Sequence, residues 1–146
     1  MALLELFDFL HFVGLAWGLG GATIATIISV RAEKDPDVGV ANMKILPTIS
    51  KFIWLGLILL IISGIALPFY IQWPLDKQML IIKHVLVVLI VIIGVVIGFK
   101  VKKIHKLAKL KEEQRSQFLK TKKQMKFLSI INLILWYAVT LLSVLV

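Results

Sequence analysis

The residues best placed for chemistry are two histidines, His11 and His84, which fall at matching depths in the first and third of four apolar stretches. An ionisable side chain inside a bilayer is costly, usually faces protein or water, and by default marks a candidate functional site. Imidazole is also the commonest protein ligand for metals. Asp8 lies three residues before His11 and so on the same helical face. A carboxylate there can accept the ring's second N–H, fixing the tautomer and raising ligand basicity. Lys83 precedes His84, about 100° around the helix, and suits either an anionic partner or snorkelling to headgroups.

The elements that must position these residues follow from composition. Of 146 residues, 60% are hydrophobic and 17% charged, too little polar surface to solvate a globule. Apolar runs over about 7–30, 52–71, 79–99 and 127–146 each approach the ~20 residues that a helical crossing needs. Lipid offers no hydrogen bonds to an open strand, and the runs lack the alternation of a barrel, so each is a helix. The expected fold is all-α: one transmembrane domain, an integral membrane four-helix bundle in up-down-up-down order. With no cysteine, the chain makes no disulfide, thiolate zinc site, iron–sulfur cluster or c-type haem attachment. Glu5 and Asp8, where a signal peptide carries Lys or Arg, mark the first stretch as retained.

Charge sets the expected orientation. Of the 17 Lys and Arg, 11 lie between Lys100 and Lys126, which places that connection in the cytoplasm and both termini outside, in a prokaryotic plasma membrane. Arg31, Lys34, Lys44 and Lys51 make the first connection cytoplasmic too, and Tyr70 and Trp73 suit the outer interface. Asp35, Pro36, Asp37 and Gly39 break the first helix, Pro47 with Thr48 would open the second, and Pro74 sits in the external turn. The third helix can continue past the membrane on the apolar edge of Ile104, Leu107 and Leu110; its basic face suits anionic headgroups, although solvation accounts for most such runs. His105 falls among these lysines as a solvated residue. The net charge of +9 comes with no nucleic-acid motif.

In that topology His11 and His84 each lie about one to one and a half turns into helices running from outside to inside, hence both in the outer leaflet. Diagonal helices of a bundle stand ~12–14 Å apart when adjacent axes are 8–10 Å apart. Such a gap is too wide for direct contact and suits two imidazoles on opposite faces of a haem iron, with Lys83 near a propionate. Gly14, Gly18, Ala22 and Thr26 recur every four residues on the His11 face, and Gly94 and Gly98 repeat the spacing in the third helix. Such a ladder admits a flat macrocycle or, more commonly, another helix, including that of a second copy of the chain. On the fourth helix Asn132, Trp136, Thr140 and Ser143 form a polar stripe of the kind that usually knits helices together.

Three runs carry a family resemblance: HFVGLAWGLGGAT from His11, WLGLILLIISGIAL from Trp54 and IIKHVLVVL from Ile81. Over roughly Leu10 to Phe99 the chain resembles the CopD-like and HemJ-like superfamily of four-helix integral membrane proteins, with its nearest likeness among the uncharacterised bacterial members. The resemblance implies b-type haem at the first-helix histidine, His11, and a functional third-helix lysine, Lys83. The third helix lacks the later Tyr-His pair and the fourth lacks the Asn-Glu-x-Pro signature of the porphyrinogen oxidases. The four methionines form no repeated motif for soft Cu(I).

The leading expectation is therefore a membrane-embedded haem b protein with His11 and His84 as axial ligands and Gly14, Gly18 and Lys83 around the cofactor. It would transfer electrons at the outer leaflet between a quinol or redox protein and an acceptor; as an enzyme it would be a membrane haem oxidoreductase. One alternative is a structural or partner-binding four-helix protein without cofactor, whose histidines hydrogen-bond within the bundle. Another is metal-ion handling through Asp8 and His11, with Glu5 nearby.

Overall fold

The computed structural model describes residues 2–70, 77–107 and 115–144, all but the turn at 32–35 helical. The four described helices are α1 (Ala2–Arg31), α2 (Pro36–Tyr70), α3 (Lys77–Leu107) and α4 (Arg115–Val144). Each is long and apolar enough to cross a membrane, and α3 reaches a mean hydropathy of 3.1 over its most apolar stretch. The all-α expectation with four such helices holds. Large apolar side chains point outward along every helix, among them Phe12, Phe69, Phe99 and Tyr137. In water this surface would aggregate; against lipid it costs nothing. Trp73, Pro74 and Leu110 lie outside the described residues, as do the side chains of Tyr70 and His105.

The helices outrun the apolar stretches that locate them, because the flanking lysines, glutamines and leucines are good helix formers that continue the backbone ladder into water. The largest difference concerns α2, which starts at Pro36 and passes straight through Pro47 and Pro68. Pro47 does not open it. Asp35 supplies a stronger start: its carboxylate Oδ1 accepts from the backbone N–H groups of Asp37 (2.9 Å) and Val38 (3.3 Å), and Pro36 occupies the first helical position, where no N–H is needed. The preceding turn is equally local. Lys34 and Asp35 both donate their N–H groups to the Arg31 carbonyl, and Gly39 donates to that of Asp35. The chain thus reverses within four residues, which makes α1 and α2 an antiparallel hairpin.

Two compact units divide the chain, Met1–Leu80 and Ile81–Leu145. In the first, α1 and α2 meet backbone to backbone. A Cβ added at Gly56 would lie 2.5 Å from the Gly18 nitrogen and 2.7 Å from the Gly14 carbonyl oxygen; one added at Gly14 would lie 2.8 Å from the Gly56 carbonyl oxygen. Further along, a Cβ at Gly21 would meet Ile53 at 2.8 Å. These pairs step in opposite directions with one constant register, continued by the hydrogen bond from His11 to Ser63. Gly14, Gly18, Ala22, Thr26 and Ser29 form the buried stripe of α1. Trp17 closes one flank edge-on to Phe52, ring centroids 5.7 Å apart. Thr23 and Thr26 donate their hydroxyls to the carbonyls of Leu19 and Ala22 one turn back.

In the second unit, Lys100 on α3 donates to Gln124 Oε1 on α4 at 2.7 Å. Ile104 and Leu107, at the end of α3, are buried, as expected of an apolar edge that continues the helix.

The hairpin contact predicts opposite outcomes for identical substitutions. Gly56→Ala must push two backbones apart and should destabilise the protein by about 1–3 kcal/mol. Gly20→Ala and Gly64→Ala, whose added methyl groups meet nothing within 4 Å, should be neutral or gain up to ~1 kcal/mol from reduced unfolded-state entropy. Reversible unfolding in mixed micelles ranks the three.

Candidate functional site

His11 is half-buried on the α1 face that meets α2. Its Nδ1 lies 2.9 Å from the Ser63 hydroxyl oxygen, and Ser63 is fully buried. The same hydroxyl lies 2.7 Å from the Leu59 carbonyl oxygen and 3.3 Å from that of Leu60. A serine has one proton to give, and a carbonyl can only accept. The proton therefore goes to Leu59, and Ser63 Oγ accepts from His11 Nδ1–H. This arrangement requires a proton on His11 Nδ1. A histidine whose second nitrogen is held in this way is oriented and made more basic as a metal ligand or proton acceptor.

Ser63 did not stand out in the sequence, where it is one small polar residue in an apolar run. Its signal was positional: it lies two turns after Gly56, on the same face of α2, so whatever packs Gly56 on α1 also turns Ser63 inward. The partner proposed for the imidazole from sequence, Asp8, is exposed, as is Glu5. Gly14 and Gly18 are buried against Gly56, where the backbone of α2 takes up the room their missing side chains leave. On α3, in the second unit, His84 is exposed and Lys83 half-buried. Gly98 has open space where a side chain would stand. Of the α4 stripe, Asn132 and Trp136 are buried, Thr140 is half-buried and Ser143 exposed.

Among the described residues, no group of three or more His, Asp and Glu side chains gathers as for a metal ion. Asp8 and His11 thus have no third ligand of that kind among the described residues. An axial imidazole needs none, since a porphyrin brings its own four nitrogens. His11, with its Nδ1 beside the Ser63 hydroxyl, is of a kind that would serve there.

A family model described as "Predicted integral membrane protein (DUF2269)" matches residues 5–146. The chain belongs to this family. Neither the curated proteins nor the solved structures give a match. The family's span takes in Asp8, His11, Ser63, Lys83, His84 and the α4 stripe, and the four apolar helices give its membrane character a physical form.

The His11–Ser63 bond is directly measurable. In the intact protein, the ring ¹⁵N shifts of His11 should report protonated Nδ1. Ser63→Ala removes the acceptor and should move the ring toward the Nε2–H tautomer favoured by free imidazole. Equal spectra in the two proteins would show that Ser63 does not hold the ring.

Proposed function

We propose that this family member is a membrane-embedded b-type haem-binding protein, with His11 and His84 as axial ligands and electron transfer as its role. The observation that carries this reading is the anchored imidazole: Ser63 lies 2.9 Å from His11 Nδ1, so that a metal would be bound through Nε2. His84 supports it as an exposed ring near the start of α3, and Lys83 beside it offers a cation for a propionate. The resemblance to the CopD-like and HemJ-like proteins, which maps b-type haem onto His11, adds to the same reading. When bound, haem would supply one-electron redox chemistry within the bilayer.

The protein's own contribution is structural. The glycine contact of α1 with α2 keeps the His11 ring beside Ser63, the Leu59 carbonyl keeps the hydroxyl proton away from Nδ1, and the Nδ1–H bond limits rotation of the ring. Fixed ligands reduce the rearrangement that accompanies a change of charge, which suits electron transfer better than a mobile imidazole would. By the charge distribution the site lies toward the outer leaflet of a plasma membrane, with the basic Lys100–Lys126 connection inside.

A second reading has its own observation. The Gly14–Gly56–Gly18 contact uses the small residues for helix packing, as a structural or partner-binding membrane protein without cofactor would.

Visible spectroscopy of protein produced with ample haem separates the two. The haem reading predicts a Soret band with sharp α and β bands on reduction, lost in both His11→Ala and His84→Ala. Ser63→Ala should retain the bands with haem affinity weaker by about 10–100-fold, the usual cost of removing a ligand's hydrogen-bond partner. Colourless wild-type protein would leave the cofactor-free reading.

A further inference from the structure

On α4, inside the apolar stretch, Asn132 and Trp136 are 8% and 2% exposed. Asn132 Oδ1 and Trp136 Nε1 have no hydrogen-bond partner among the described residues. This sets them apart from three hydroxyls of the same helix. Thr121, Thr140 and Ser143 each donate to the carbonyl one turn back, at 2.8 to 2.9 Å. Hydroxyls can satisfy themselves in this way, whereas an indole N–H and an amide oxygen, held away from their own backbone, cannot. A buried polar group without a partner costs several kcal/mol in a hydrocarbon surrounding, and two on one face compound that cost.

The two atoms are complementary. Asn132 Oδ1 accepts and Trp136 Nε1–H donates. Residues four apart on a helix have Cβ atoms about 5–6 Å apart on one face. A single oxygen within hydrogen-bond distance of both groups, ~2.8–3.0 Å from each, spans that separation. The chemistry such a pair recognises is one that gives and takes a hydrogen bond at the same atom.

We propose that Asn132 and Trp136 form a binding site for a hydroxyl group within the membrane. The O–H donates to Asn132 Oδ1, and its oxygen accepts from Trp136 Nε1–H. Two sources present that chemistry at this depth: a buried water, and the phenolic hydroxyl of a lipid-soluble quinol. The site uses neither His11 nor His84 and does not rest on haem binding.

The test uses the full-length protein in lipid nanodiscs without added haem, with ¹⁵N-labelled tryptophan. Trp17, Trp54, Trp73 and Trp136 give four indole N–H signals, and Trp136→Phe assigns the one that matters. If water fills the site, the Trp136 N–H shows a cross-peak to a long-lived water, and Asn132→Leu abolishes it. If a quinol fills it, titration with tetramethyl-1,4-benzoquinol shifts the Trp136 signal saturably. Asn132→Leu then weakens the apparent affinity about tenfold or more, the cost of one buried hydrogen bond. Either pattern supports the hydroxyl site and names its source. A wild-type Trp136 signal with no water cross-peak and no response to the benzoquinol overturns it. That result is read on the unmutated protein, so it stands even if a variant fails to fold.

Discussion

The approach of two helix backbones at Gly14, Gly18 and Gly56 is the constraint on which the described site depends. Lipid tails are as apolar as leucine, so burial gives membrane helices little reason to associate; close van der Waals packing and interhelical hydrogen bonds must do so instead. Glycine makes that packing possible by removing the atoms that would hold the axes apart. Once α1 and α2 lie this close, their register has little freedom. Slippage by one turn would set Gly56 between Leu10 and Gly14 on one side or between Gly18 and Ala22 on the other, and one of its two glycine contacts would be lost.

Chemistry follows from register. With Gly18 on Gly56, His11 falls on Ser63 two turns further along the hairpin, and a hydrogen bond closes between otherwise apolar faces. Ser63 is suited to this because its proton is already given to Leu59, so that it presents an acceptor and no competing donor. The same economy runs through the membrane-spanning helices, where Thr23, Thr26, Thr140 and Ser143 bond back to their own carbonyls. Against that background, Asn132 and Trp136 on α4 and Asn42 near the start of α2 stand out as buried groups with an atom that has no partner among the described residues.

Much of this was legible in the chain. Composition alone fixes four apolar helices, because no other element satisfies its backbone in lipid. The Gly14–Gly18–Ala22–Thr26 ladder correctly marked a contact face of α1. What sequence did not disclose was its partner: Gly56 and Ser63 are ordinary residues until a register is known, and Asp8 was the nearer candidate for His11 because helix periodicity reveals only neighbours on the same helix. The start of α2 was misplaced for a related reason. Pro47 resembles a helix opener, but the Asp35 cap and Pro36 had already begun the helix, and an interior proline was accommodated rather than avoided. The polar stripe of α4 was visible as a stripe, while the division between buried Asn132 and Trp136 and exposed Ser143 needed coordinates.

The most direct measurement of the central claim is the register of α1 on α2 in a bilayer. The chain contains no cysteine, so paired cysteines can be introduced without background. His11→Cys with Ser63→Cys, and Gly21→Cys with Ile53→Cys, should form disulfides under mild oxidation in membranes, because a hydrogen bond joins the first pair of side chains and a Cβ at Gly21 would meet the Ile53 side chain at 2.8 Å. His11→Cys with Ile53→Cys, nearly three turns out of register and sparing Gly56, should not. Cross-linking of the out-of-register pair, with none at 11 and 63, would contradict the hairpin and with it the anchoring of His11 by Ser63.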